Sequence, residues 1–149
     1  MIGANMNKIF SSESDHPLFR YFTERERGRI EGIGEERRVP ADAYLIRAGD
    51  TDSTLFAVED GHLDIIAMRD GAATVVATVG PGDVLGEVAF IDDSPRSVSV
   101  KAGEDSVVRA WNKRTLTEAL ARDPQMLAKF AVAMSELLVE RLRDTARRV

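Results

Sequence analysis

Between Arg37 and Trp111 the chain is cut at short intervals by turn signals: Gly49-Asp50, Asp60-Gly61, Asp70-Gly71 and Gly80-Pro81-Gly82-Asp83. Glycine supplies the positive φ that tight turns need, and an Asp beside it can bond to its own turn. The runs between the turns are short for helices and apolar enough for strands. Val39 to Ala43 reads as a strand and a proline-containing turn, and Tyr44-Leu45-Ile46 as the next strand. Leu55 to Val58 is continuously apolar and predicts a buried strand. Asp60-Gly61 predicts a hairpin from that run into Leu63 to Met68, and Asp70-Gly71 a second hairpin into Thr74 to Val79. Val84-Leu85, Ser97 to Lys101 and Ser106 to Trp111 complete the set. About eight short strands at this spacing point to a closed β-roll or sandwich.

Helical signals flank this region. Leu18, Phe19, Phe22 and Ile30 are apolar anchors around a short helix. Thr23 and Glu26 have capping-box spacing, so the helix is expected to start near Glu24 and to end at Gly32 and Gly34. Its charged residues (Glu24, Arg25, Glu26, Arg27, Arg29, Glu31) read as a solvated face. Trp111 to Arg122 is expected to be a helix with Leu116, Ala119 and Leu120 inward. Asp123-Pro124 then begins another, with an N-cap acid and proline at the first position. Leu127, Phe130 or Ala131, Met134, Leu137 or Leu138 and Leu142 recur every three or four residues along it. This stripe packs either on the chain's own roll or on a partner or second copy, the last through Leu127, Phe130, Met134 and Leu138; the pattern leaves these open. Arg141, Arg143, Arg147 and Arg148 complement the negative pole of that helix.

Composition excludes several classes. The 149 residues suit one domain, expected to run over 1–149, and their formal charge of −5 argues against a nucleic-acid surface across it. Cysteine is absent and His16 and His62 are the only histidines, so thiolate and histidine-rich metal centres are not expected. No apolar stretch approaches the ~20 residues of a membrane span, and residues 1–15 read as a loose polar leader without a signal peptide. A cytoplasmic location is expected by default. No Ser–His–acid set, catalytic carboxylate pair or Walker-type loop is found, so the chain is not expected to be an enzyme.

The chemistry concentrates in Leu85-Gly86-Glu87-Val88-Ala89-Phe90-Ile91-Asp92-Asp93-Ser94-Pro95-Arg96-Ser97. Gly86 lets a backbone approach a ligand closely. Glu87 to Ile91 can form one helical turn whose first amides face an anion. Pro95 is expected to stop that turn. Arg96 brings a permanent, forked positive charge suited to phosphate, and Ser97 a hydroxyl. Glu87 would repel phosphate but can accept from a sugar hydroxyl. A phosphate half beside a hydroxyl half suggests a nucleotide.

This segment resembles the phosphate-binding cassette of the cyclic nucleotide-binding domain family, seen in catabolite-activator-type proteins, cyclic-nucleotide-dependent kinases and gated channels. Leu45-Ile46, Gly49-Asp50 and Gly61 also sit at family intervals. The resemblance implies a mainly β fold: an eight-stranded antiparallel, jelly-roll-like double-stranded β-helix over 37–111. It also implies an N-terminal helical segment over 16–34, a short cassette helix within 85–97 and two C-terminal helices over 112–149 that act as a lid. It places Glu87 on the ribose 2′-hydroxyl and Arg96 on the cyclic phosphate, with Gly86, Val88, Ala89 and Ser97 completing the cradle. The implied ligand is cAMP, with cGMP also compatible with Ser97, and no prosthetic group. The implied output is movement of the C-terminal helix towards an unidentified protein partner, in a stand-alone module without a DNA-binding domain. The alternative is a family-like roll that no longer binds and serves as a structural or dimerisation module. By resemblance, Arg141 is a candidate base contact, while Val76 and Val79 could line the pocket, although core packing is the stronger reading for that pair. Phe90, Val98, Asp52 and Ala57 depart from the family pattern; the last two are expected to be local packing variants remote from the cassette.

Overall fold

Strand alternation and turn chemistry produce eight strands in two antiparallel sheets. The computed structural model describes Phe10 and residues 16–147, so the rest of the expected leader lies outside the described residues. The strands are β1 (Glu35–Val39), β2 (Tyr44–Ile46), β3 (Leu55–Asp60), β4 (Leu63–Arg69), β5 (Ala72–Val79), β6 (Val84–Leu85), β7 (Ser99–Ala102) and β8 (Ser106–Trp111). The helices are α1 (Glu24–Ile33), α2 (Glu87–Asp92), α3 (Lys113–Ala121) and α4 (Pro124–Arg147). One sheet has the order β1-β8-β3-β6 and the other β2-β7-β4-β5. This is the antiparallel β-roll with flanking helices.

Gly34–Lys113 forms one compact unit, which holds both sheets and α2; the segments on either side of it form the other. In the β unit every strand contributes to one core, from Val39 and Ile46 through Phe56, Leu63, Val79 and Leu85 to Val100 and Val108. Phe56, Leu63 and Val108 are completely buried. Each such side chain contributes about 1.5–3 kcal/mol by leaving water.

Asp70-Gly71 makes the expected hairpin, with Arg69 opposite Ala72 and both turn residues at positive φ (51° and 79°). Asp60-Gly61 does not. β3 pairs with β6 and β8, whereas β4 pairs with β5 and β7, so this turn carries the chain from one sheet to the other. A local dipeptide specifies the reversal but not the partner. Trp111, expected both to end the last strand and to open the next helix, does only the first: it is the last residue of β8, opposite Leu55, and α3 begins at Lys113. Trp111 is 2% exposed, and burial of so large a ring favours the sheet position.

In the helical unit the capping box of α1 is complete. The Thr23 amide donates to Glu26 Oε1 at 2.9 Å and the Glu26 amide to Thr23 Oγ1 at 3.2 Å. The charged face of α1 is not merely solvated. Lys129 of α4, buried to 4% exposure, places Nζ 2.6 Å from Glu26 Oε1, and Arg29 Nη1 lies 3.2 Å from Asp123 Oδ2. Arg20 and Tyr21 both bond to Glu136 of α4. Four side chains of the 20–29 segment are thereby tied along α4. Burial pushes the Glu26 carboxyl up, but hydrogen bonds from Lys129 and Thr23, with the ammonium charge, outweigh it and hold the group below its ordinary value.

Asp123 caps α4 as expected, its Oδ1 accepting from the Met126 amide at 3.2 Å. Of the residues expected on a seam with a second copy, Phe130 and Met134 are 5% and 2% exposed. They are buried within this chain, along with Met126, Ala133 and Leu137 of the same inner stripe. Leu138 is half-buried, and the exposed apolar residues of α4 are Leu127, Val139 and Leu142. Among the described residues no helix is long and apolar enough to cross a membrane.

Candidate functional site

The cassette is held between the end of β6 and the start of β7, within the β unit. Gly86 sits at φ 82°, ψ 16° and is the N-cap of α2. The first bond of the helix runs from the Phe90 amide to Gly86 O at 3.0 Å, which leaves the amides of 87–89 outside the ladder. Asp93, at φ 56°, ends α2 by donating its amide to Ala89 O. Termination thus comes from a left-handed Asp rather than from Pro95, which lies two positions further on.

Arg96 is buried, its side chain only 4% exposed. Its Nη2 donates to Thr54 O at 2.7 Å and its Nη1 to Gly86 O at 3.3 Å. The guanidinium lies 5.9 Å from the centre of the Phe56 ring. Its Nε–H is buried without a hydrogen-bond partner among the described residues. An arginine beside a helix N-terminus with a spare donor has the donor set that an anion would require.

The other expected residues divide by exposure. Glu87 opens α2 and is 8% exposed, and Ala89 and Phe90 are buried at 5% and 3%. Val88 and Ser97 face outward. Gly86, Glu87, Val88 and Ala89 are therefore brought together at one helix start, with Arg96 against Gly86 from the far side of the turn. Val79 belongs to the core, as its apolar pattern suggests, and Val76 is half-buried. Arg141 is half-buried on α4, in the other unit.

The loop before β3 is part of this site, contrary to the expectation that Asp52 is remote from the cassette. Asp52 Oδ2 stands 3.6 Å from Arg96 Nη2. Its other oxygen accepts from the Thr54 amide at 3.0 Å and the Thr54 hydroxyl at 2.6 Å. Burial raises the Asp52 carboxyl, but the Thr54 bonds and then the Arg96 charge win and hold it below the ordinary value. Asp50 O accepts from the Arg96 amide at 2.8 Å, and the Gly49 amide donates to Arg96 O at 2.8 Å. Ser53 Oγ donates to Asp93 Oδ1 at 2.7 Å, while Lys113 Nζ lies 2.9 Å from Asp93 Oδ2. These two bonds, Lys113 first, hold Asp93 below its usual value. One loop, 49–54, therefore grips the cassette at both ends. The Asp52–Thr54 spacing is an Asx-turn signal legible in the sequence, but nothing local announces that the turn faces Arg96.

A β-roll with a short helix and a buried arginine between its sixth and seventh strands is the frame of a cyclic-nucleotide-binding fold. Residues 36–123 match the cyclic nucleotide-binding domain, and the chain belongs to that family. It is similar to an uncharacterized NTE family protein of Mycobacterium tuberculosis, 29% identical over 89% of this chain and 22% of that protein. It is also 33% identical to the cAMP-dependent protein kinase regulatory subunit of Emericella nidulans, over 58% of this chain and 20% of that one. Among solved structures, the catabolite activator protein of Thermus thermophilus superimposes with a TM-score of 0.79 at 26% identity, covering 89% of this chain and 61% of that chain. The chain spans about a fifth of the length of the first curated relatives it matches.

Proposed function

We propose that this domain is a regulatory module that binds cAMP, with cGMP as the second ligand of the same class, and carries out no reaction on it. The observation that carries this reading is the buried Arg96 guanidinium against the αL N-cap Gly86, with an unpartnered Nε–H. In this reading the cyclic phosphate takes the Arg96 donors, the α2 amides of Val88 and Ala89, and the Ser97 hydroxyl. Glu87 accepts from the ribose 2′-hydroxyl. A charge-assisted hydrogen bond of this kind contributes about 1.5–3 kcal/mol. The similarity to a kinase regulatory subunit named for its cAMP dependence supports cAMP over cGMP. The output is a shift of the C-terminal helices between two positions, read by a partner protein, and the ligand's differential affinity for the two states sets the size of that shift.

Calorimetric titration of the wild type with cAMP and cGMP, beside Arg96→Leu and Glu87→Ala, tests the reading. Saturable one-site binding by the wild type, weakened at least tenfold in each folded variant, is expected. A wild-type protein that binds neither nucleotide, or variants that retain full affinity, would overturn it.

A further inference from the structure

Asp52 has two oxygens with separate duties. Oδ1 takes both Thr54 bonds and so holds the loop, while Oδ2 is free of the loop and faces Arg96 at 3.6 Å. That distance is too long for a hydrogen bond but within the range of an ion pair. The carboxylate therefore lowers the positive potential of Arg96 without consuming its donors. It is also pinned, because Thr54, 8% exposed, donates twice to Asp52 and accepts from Arg96 Nη2 through its own carbonyl. A phosphate bonded to this guanidinium would stand within about one Debye length, ~10 Å at 0.1 M salt, of a carboxylate that cannot swing away.

We propose that Asp52 is a resident counter-anion to Arg96 that opposes the ligand's phosphate and sets the affinity of the cassette low. The proposal rests on the cassette being the nucleotide site. Asp52 makes no contact with the ligand in this scheme; it acts through Arg96 and by repulsion. Asp52→Asn separates its two duties, since the amide oxygen keeps both Thr54 bonds while the charge facing Arg96 is removed. Asp52→Ser, which can still accept from the residue 54 amide in an ST-turn, is a second variant if the first folds poorly.

Titration of wild type and Asp52→Asn with cAMP and with cGMP, at low and at high KCl, tests this. The variant should bind both nucleotides about tenfold more tightly at low salt, a factor discounted from full Coulomb strength because the Asp52 side chain is 51% exposed. The gain should be equal for the two nucleotides, which carry the same phosphate, and should shrink as KCl rises. A wild type that binds, with a variant equal or weaker, would overturn it while leaving the nucleotide site intact. So would a gain that is independent of salt or confined to one base, since that marks a rearranged loop. Failure of both proteins to bind would sink the cassette reading and this proposal with it.

Discussion

Arg96 and Gly86 are packed so closely that no side chain fits at Gly86 without displacing its neighbours. Arg96 Nη1 donates to Gly86 O at 3.3 Å, and a Cβ at Gly86 would lie 2.5 Å from that nitrogen and 2.8 Å from Thr54 O. Gly82 shares the positive φ, at 90°, but has open space around it. Gly82→Ala should therefore cost about 1–2 kcal/mol for the left-handed backbone alone. Gly86→Ala should cost at least about 1 kcal/mol more, from crowding against a backbone carbonyl. Urea unfolding of the two variants checks the difference.

Arg96 supports the fold as well as offering charge. Arg96→Leu leaves Thr54 O without its Arg96 donor and should lower stability by about 1–3 kcal/mol. Arg96→Lys keeps the charge and one donor direction but loses the fork, so it should recover stability more than affinity. Chemical denaturation alongside titration with cAMP separates the two roles. Equal recovery of both would show that the fork geometry is immaterial.

The Glu26–Lys129 pair joins α1 to α4 with side chains 16% and 5% exposed. Glu26→Ala strands a buried ammonium and should cost about 3–5 kcal/mol, whereas Glu26→Leu combined with Lys129→Met should lie nearer the wild type. The Glu26 carboxyl is depressed in the folded state, so its contribution is present above the ordinary value of 4.5 and is lost as pH falls through the folded value. Across that acid window the stability of Glu26→Gln should fall less steeply than that of the wild type. Parallel slopes in a pH series of unfolding curves would contradict this.

Asp123 closes the start of α4 through Oδ1 and meets Arg29 through Oδ2. Asp123→Ala should cost about 1 kcal/mol through loss of the cap. Asp123→Ser should cost less, because the cap survives and a partly exposed ion pair is worth little. Thermal unfolding of both variants orders them.

Much of this is legible in the sequence. The Thr23/Glu26 capping box, the Asp123-Pro124 start, the Asp70-Gly71 hairpin and the Gly86-to-Ser97 cassette all lie within a few residues of their own partners, so local spacing reveals them. Three features are not. The Asp60-Gly61 turn crosses between sheets, Asp52 belongs to the site rather than to a remote loop, and Phe130 and Met134 are committed to the chain's own core. Each depends on a segment distant along the chain, and an amphipathic stripe looks the same whether its own chain or another covers it.

The amino-acid order alone determined about how many strands form, where the capped helices begin at Glu24 and Pro124, and which short segment carries Gly86 and Arg96, because backbone chirality, turn chemistry and capping act over three or four residues. Closure of the two sheets decided what that arginine faces. Folding brings loop 49–54 against residues 86–96, and only that meeting places a carboxylate beside Arg96 and removes the space a side chain at Gly86 would need. The reason is range: hydrogen-bonded turns are local, whereas burial and charge–charge contact depend on whatever the closed roll sets side by side.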